Sequence, residues 1–572
     1  MAWLLILVGL VGGRVSFAAA NGCGAPYTRI SAIQGDGDRS PVQGQTLAVE
    51  GVITLEAGGP DGLAGFYLQS LPGDADRDAA TSEGLFVFSD DGSGDVGDHV
   101  RVRGLIKEYH GLTEIAARGR LKVCGRAPAP QPIALSFPLP TLEPLEGMRV
   151  VFDEAPTVID THDLGRYGVV ELAADDPVRS RRNPDTMGSP DRILLDDRRL
   201  VQNPATLPLP RPGLSADNSL RTGSRLEPVR GVLDYRYDRW RIQPETWPSV
   251  LDANERPVAP EPPKAGAVRV AAFNALNFFN GDGEGDGFPT ARGADTGHEL
   301  RRQRQKLVAA IHGLKADIVG LMELENDGSG ENSAIAELTR SLGAEWRYIR
   351  QPEAGTDAIR VGLIYRHDRA QPAGAAAVLA SGVFARYSRA PAAQDFRLRG
   401  NEDRIRVVVN HFKSRSCRNA RGENRVDDEG CYAPVRERSA RELLAWLETL
   451  PKPEGLSGAL VVGDLNTYVG ERPLALLAGG GFQRPTPLTG DGQHTYRFDG
   501  VRGVLDYILV DEHLQSRVVD GGVWHINADE PSVLDYNLEF HPPGRADRLY
   551  GPGPWRSSDH DPVYLDVRMD RR

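Results

Sequence analysis

GALVVGDLN, residues 458–466, is an apolar run that stops on a carboxylate and an amide. Leu460, Val461 and Val462 are consecutive apolar residues, so both faces of the strand they form need cover, as in a sheet buried between layers. The same pattern recurs on either side. Upstream, VRVAAF leads into Asn274, DIVGLM into Glu323 and RVVVN into His411, just as ALVVG leads into Asp464 and Asn466. Downstream the order reverses, with Asp506 ahead of YILV and Asp559-His560 ahead of PVYLDV. Four runs end on a polar group and two begin with one, so a sheet of mixed strand directions gathers all six at one edge. A single Asp or Asn at a strand end commonly forms a turn or a helix cap. Six such placements exceed what turn chemistry asks for and mark a site.

Helical patterns separate these strands. From Glu299 to Leu314, the side chains of Leu307, Ala310, Ile311 and Leu314 share one face, and a second helix covers about Val435 to Leu450. Strands apolar on both faces, interleaved with helices, predict an α/β domain over residues 267–570. PVAPEPPKAG (257–266) is a proline-rich linker at its start. Before it, TLAVEGVITL, GFYLQS, GLFVFS and DHVRVRGLIKEY are strands broken by GGPDG and DDGSGD, which predicts an all-β domain over 21–130 and a second over 138–250. RLEPVRGVLDYRYDRWRIQPE (225–245) echoes GDHVRVRGLIKEYHGLTEIAA (97–117), a weak internal repeat of a small β-barrel unit. Such barrels bind oligonucleotides or act as rigid spacers, and both readings stay open.

Over 572 residues, Lys+Arg 67 against Asp+Glu 79 leaves a formal charge of −12. That argues against a protein that packages or regulates nucleic acid by bulk charge, which needs clustered Lys and Arg. An enzyme that grips phosphate through a bound cation needs carboxylates instead. Residues Trp3 to Val11 are apolar and Ala18-Ala19-Ala20 precede Asn21, although Arg14 interrupts the run; this predicts a signal peptide over 1–20 and export to the periplasm or the cell exterior. No other run approaches the roughly 20 apolar residues that span a bilayer. Of the three pairings open to four cysteines, the simplest joins Cys23 to Cys124 and Cys417 to Cys431. Neither pair has C-x-x-C spacing, and structural disulfides suit an exported chain. Nothing in the sequence points to an obligate protein partner.

With FNALN (273–277), LMELEN (321–326), VNHFKS (409–414), VVGDLN (461–466), LDYIL (505–509) and SSDHDPV (557–563) in this order, the chain resembles the DNase I-like endonuclease/exonuclease/phosphatase superfamily over roughly residues 266–570. Within it, the chain is similar to secreted bacterial nucleases that carry an OB-like region ahead of the catalytic domain. The resemblance implies a DNase I-like α/β (α+β) four-layer sandwich of two packed sheets, preceded by all-β OB-like domains. It implies phosphodiester hydrolysis, which requires charge neutralisation at the phosphate, an in-line water and help for the leaving oxygen. Glu323 is the natural hard-oxygen ligand for Mg²⁺ or Mn²⁺, with Ca²⁺ a further candidate, and Asn274 and Asp559 are the residues to complete or buttress its shell. His560 pairs with Asp506 as a catalytic dyad in which the carboxylate fixes the tautomer. Asp464 is the competing candidate for positioning or deprotonating water, and Asn466 donates to a phosphate oxygen. His411 resembles the second histidine of DNase I-type members.

Two positions depart from the pattern. Tyr507 stands where many relatives in this group have histidine, so a polar contact near the dyad is lost or replaced by the phenol. The acid that orients His411 has no secure match, and Asp357 is the candidate for it. Asn277, Arg292, Asp357 and Lys413 are the candidate substrate contacts. NGDGEGDGFPTARGADTG (280–297) spaces Asp282, Glu284 and Asp286 like a calcium loop but lacks the closing glutamate, and reads as a flexible loop. The implied substrate is DNA, with RNA a second candidate. A sphingomyelinase-like enzyme acting on lipid headgroups is an alternative, disfavoured because no exposed aromatic-apolar hairpin is evident. A non-catalytic binding protein of the same fold is another, disfavoured by the complete acid, amide and histidine set.

Overall fold

The computed structural model describes residues 22–89, 94–119, 121–178, 191–352, 355–400, 402–425, 429–490 and 492–569. The segment read as a signal peptide lies outside them. Among the described residues no helix is long and apolar enough to cross a membrane. The chain forms two compact units, one of Met1–Asp153, Ile193–Val201 and Pro228–Thr246, the other of Glu154–Arg192, Gln202–Glu227 and Trp247–Arg572.

In the first unit, strands β1 (Thr46–Glu56), β2 (Gly65–Gln69), β3 (Gly84–Phe88), β4 (Asp98–Tyr109), β5 (Leu112–Ala117) and β6 (Lys122–Arg126) build a barrel. Neighbours run β1-β2-β3-β5-β4, and β4 closes back onto β1, so five strands make the ring. Only β3 and β5 are parallel. The first part of β1 pairs with β4 and its end with β2, and a bulge between Ile53 and Leu55 lets one strand serve both neighbours. Val49, Ile53, Phe66, Leu85, Val102 and Ile115 fill the interior. Cys23 and Cys124 are joined in a disulfide. Beside it in the same unit, Ile133–Leu135, Arg149–Phe152, Arg230–Arg236 and Arg239–Pro244 form a half-barrel. The N-terminal region is thus mostly β, a five-strand barrel and a half-barrel.

The second unit holds two stacked sheets. The first consists of β7 (Ala267–Phe278), β8 (Ile318–Glu325), β9 (Trp346–Tyr348), β10 (Ile359–Arg366), β16 (Val518–Val523) and β17 (Val563–Arg568), in the order β9-β10-β8-β7-β17-β16. The second runs β11 (Ala370–Pro372), β12 (Arg389–Leu398), β13 (Arg404–His411), β14 (Leu456–Asp464), β15 (Asp506–Val510). Each has a parallel pair at its heart, β7–β8 and β13–β14, flanked by antiparallel neighbours.

Alternation along each strand sorts the apolar runs into two cores. Val268, Val270, Val407, Val409, Leu460 and Val462 meet between the sheets. Ala271, Phe273, Val319 and Leu321 point outward onto helices α1 (Gly297–Leu314) and α2 (Ala334–Leu342). Val408, Val461 and Leu509 point outward onto α3 (Ala433–Thr449) and α4 (Arg472–Gly479). Helix, sheet, sheet and helix make four layers, the reason strands such as ALVVG are apolar on both faces. At Gly320 the sheets approach so closely that a Cβ would stand 2.8 Å from a Val462 methyl and 3.1 Å from one of Val409.

Candidate active site

Cross-strand register lines up the polar strand ends. Arg389 stands opposite His411, His411 opposite Asp464, and Asp464 opposite Asp506, a row across the end of the second sheet. On the first sheet the pairing slips after Asn274 in β7 and after Leu321 in β8. Leu276, Asn277 and Glu323 there take positive φ values of 52°, 50° and 60°. Irregular pairing of this kind re-aims side chains at a sheet edge, and strained backbone collects at functional sites.

His560 Nδ1 lies 2.7 Å from Asp506 Oδ2. The Asp506 N–H donates to Thr495 Oγ1 at 3.1 Å, and the Tyr496 ring lies against the imidazole with centroids 4.5 Å apart. Asp464, Asp506 and His560 each bring a ligating atom within 4.8 Å of the others. Asp464 accepts from the Asn466 N–H at 2.8 Å and from its side-chain amide at 3.2 Å, and Asn466 also reaches the Phe412 carbonyl. His411 Nε2 stands 3.4 Å from Asp464 Oδ2 and 4.0 Å from Glu323 Oε1. Glu323 Oε2 accepts from the Asn277 N–H at 3.1 Å. Asn277 therefore meets the site through its backbone.

The electrostatics follow from crowding. Burial, then the Asp506 and Glu323 charges, push the Asp464 carboxyl up to about 7 against the pull of His560. Burial and Asp559 raise Glu323 as well. Burial together with Arg389 holds His411 well below the ordinary imidazole value, so it is neutral at physiological pH. For His560 burial works toward neutrality, but Asp506 and Asp559 outweigh it and hold the proton on the ring. A hard divalent cation would fit this donor set: Glu323 and Asp559 would supply carboxylate oxygens, with Asn274 beside them, its Oδ1 also accepting from the Leu276 N–H at 3.0 Å, and such an ion would relieve the surplus negative charge that raises Glu323 and Asp464.

The sequence placed most of these residues at one edge, and they meet there. Asp357 does not orient His411. It faces Arg389 Nε at 3.4 Å and Arg292 at 3.9 Å, while His411 Nδ1 is buried without a hydrogen-bond partner. The Tyr507 phenol does not replace a contact at the dyad: side chains alternate along β15, and its hydroxyl sits among the outer-core residues, 2.7 Å from the Thr467 carbonyl and 2.8 Å from that of Val504. Lys413 lies 4.9 Å over the Tyr432 ring, and Arg292 is exposed at the rim. Cys417 and Cys431 are joined in a disulfide. Arg389, Thr495 and Tyr496 escaped the sequence reading. Arg389 looks like a strand-surface charge, and only its register opposite His411 shows otherwise.

A family model described as the endonuclease/exonuclease/phosphatase family matches residues 271–560, and a domain of unknown function (DUF8508) matches residues 128–252. No curated protein matches the chain. Among solved structures, a humanized D. rerio TDP2 is 14% identical and covers 53% of this chain and 99% of its own, with a TM-score of 0.35. The human nocturnin catalytic domain is 16% identical, with coverages of 54% and 96% and a TM-score of 0.34. A Bacteroides thetaiotaomicron mannosyl-6-phosphatase is 14% identical, with coverages of 52% and 99% and a TM-score of 0.34. The family model spans just over half of the 572 residues and takes in every one of the polar strand ends gathered here, so this chain belongs to the endonuclease/exonuclease/phosphatase family.

Proposed function

We propose that this chain is an exported, divalent-metal-dependent nuclease that hydrolyses phosphodiester bonds of DNA. The observation that carries the reading is the 2.7 Å contact between His560 and Asp506 inside a ring of carboxylates and a neutral His411. Glu323, Asn274 and Asp559 would hold the cation, which when bound neutralises phosphate charge. Asp506 fixes the His560 ring through Nδ1, leaving Nε2 to face the attacking water and the leaving oxygen, between which the proton passes. Asp464, held in place by the Asn466 N–H and side-chain amide, orients that water, and His411 donates to a phosphate oxygen. A water oxygen–phosphorus bond forms, the bond to the leaving oxygen breaks, and a phosphomonoester and a hydroxyl result.

Local charge supports a polyanionic substrate in a chain of net charge −12. Arg292, Arg389 and Lys413 surround His411, and exposed Arg418, Arg421 and Arg425 stand on the loop closed by Cys417–Cys431. The disulfides and the predicted signal peptide support export. We read the five-strand barrel as an OB-type domain. A lipid headgroup substrate would call for an insertion element. Phe498, two residues on from Tyr496, is exposed, but its neighbours are engaged: Arg192 bonds the Asp499 carbonyl, and a Cβ at Gly500 would stand 3.1 Å from Ile159 and 3.2 Å from Glu171. The test is plasmid DNA with Mg²⁺, with and without EDTA, beside sphingomyelin. EDTA-sensitive nicking of the plasmid is expected; metal-dependent cleavage of sphingomyelin without plasmid cleavage would overturn the substrate.

A further inference from the structure

A short turn behind the dyad grips the loop that carries it. Asn527, fully buried, donates from Nδ2 to the His560 carbonyl at 2.6 Å. Its Oδ1 accepts from the Ser557 N–H at 2.8 Å, the Ser557 hydroxyl at 3.1 Å and the Ser558 N–H at 3.2 Å. Asp561 returns the grip. Its Oδ1 accepts from the N–H groups of Asn527 at 2.7 Å and Ala528 at 3.1 Å, and its Oδ2 lies 3.0 Å from His525 Nδ1. The Asn527 amide thus takes up the Ser557 and Ser558 N–H groups and the His560 carbonyl of a loop that belongs to no strand, and the Asp561 carboxylate in return takes up the N–H groups of Asn527 and Ala528.

The next two residues of the turn face the other way. Glu530 takes Arg221 at 2.6 Å, Arg256 at 2.8 Å and the Ser219 hydroxyl at 2.8 Å. Asp529 takes Thr222 at 3.1 Å, Asn254 at 3.1 Å and Arg497 at 2.7 Å. Apart from Arg497, these partners precede residue 271, where the family match begins. His494, His525 and Asp529 also bring three ligating atoms within 4.8 Å of one another, beside a polar cleft of about 390 Å³. Asp529 Oδ1 already accepts from the Arg497 guanidinium, and a cation placed on that oxygen would face it. The trio belongs to the anchor.

We propose that residues 526–530 form a clamp that, together with Asp561, positions His560, with Asn527 and Asp561 as the positioning residues, braced through Asp529 and Glu530 by residues 219–222 and 254–256. The proposal rests on His560 being catalytic. Without Asn527 the loop keeps its sequence but loses the fixed partners that set the height of the ring over Asp506, and a misplacement near 1 Å costs a catalytic site about 100-fold.

The experiment compares the full-length parent with Asn527→Ala and Asn527→Asp. Aspartate keeps the acceptor for Ser557 and Ser558 but loses the donor to His560. For Asn527→Ala, kcat is expected to fall about 10–100-fold with KM within about twofold. Asn527→Asp recovers part of the loss. Hydrogen exchange accelerates in peptides spanning 526–530 and 555–562 and nowhere else. Unchanged kcat and unchanged local exchange in a folded Asn527→Ala would overturn the clamp, and if that variant does not fold, Asn527→Asp decides by the same two measurements. Turnover lost in the variant alone supports the clamp; turnover absent from the parent itself overturns the catalytic reading beneath it.

Discussion

Two clusters of carboxylates in this molecule have opposite character. In the rear one, all four oxygens of Asp529 and Glu530 accept from at least two donors each, and both groups sit below their ordinary carboxylate values, because the arginines around them outweigh burial. In the front one, Asp506 Oδ1 and His411 Nδ1 are buried without partners, and burial raises Glu323 and Asp464. A cluster whose charges are matched by the protein holds structure together. One whose charges are left unmatched is shaped for a cation and a phosphate that come from elsewhere.

The largest effect should come from the front cluster and leave the fold alone. His560→Ala is expected to lower kcat by about 10²–10⁴-fold while the melting curve stays close to that of the parent. Measured on plasmid DNA at saturating Mg²⁺, a variant that kept a third of the parental rate would show that the dyad is not where the proton goes. A variant that unfolded would show that front and rear share one structural role, and the contrast would break.

The front cluster was the legible one. Apolar runs with a polar end are visible in sequence because strand periodicity and site chemistry coincide there, so ALVVG and RVVVN announce both the buried sheet and Asp464 or His411. The paired echo at 97–117 and 225–245 was legible for a related reason: alternating residues around a tight turn fix a hairpin, and both stretches are antiparallel hairpins, β4–β5 in the barrel and Arg230–Arg236 with Arg239–Pro244 in the half-barrel. Closure of the barrel was not legible, since it depends on the long-range pairing of β1 with β4. Asn527 and Glu530 stayed hidden because their partners lie as far as 311 residues away and no local period marks them. Asp357 misled because proximity to a strand start says nothing about which of two nearby arginines will claim a carboxylate.

Stability should separate the clusters next. Arg221→Ala leaves Glu530 a buried carboxylate short of a partner, and removing one side of such a pair costs about 3–5 kcal/mol. Asp464→Asn removes a crowded charge while keeping an acceptor for the Asn466 N–H, so the metal-free protein should be no less stable than the parent even as its turnover collapses. Urea titrations of the two variants without metal decide the matter. Equal destabilisation would mean that the front carboxylates are structural as well.

The smallest effect is also the one that ties the front cluster to its cation. The Asp464 carboxyl titrates at about 7 in the fold against an ordinary value of 3.8, so the native state binds this proton more tightly than the unfolded chain. Its contribution to stability is complete below about pH 4 and is lost as pH rises through 7. Without metal, this site should therefore weaken the protein between pH 5 and pH 8. A divalent cation held by the neighbouring carboxylates would take over the charge balance that the proton supplies, and would favour the ionised form of Asp464. Saturating Mg²⁺ should accordingly raise Tm by a few degrees at pH 8 and by clearly less at pH 5, with Asp464→Asn flattening the difference. A Mg²⁺ gain of equal size at both pH values would mean that the ion and the proton do not compete for the same charge, and the division between a saturated rear cluster and an unmatched front one would lose its chemical meaning.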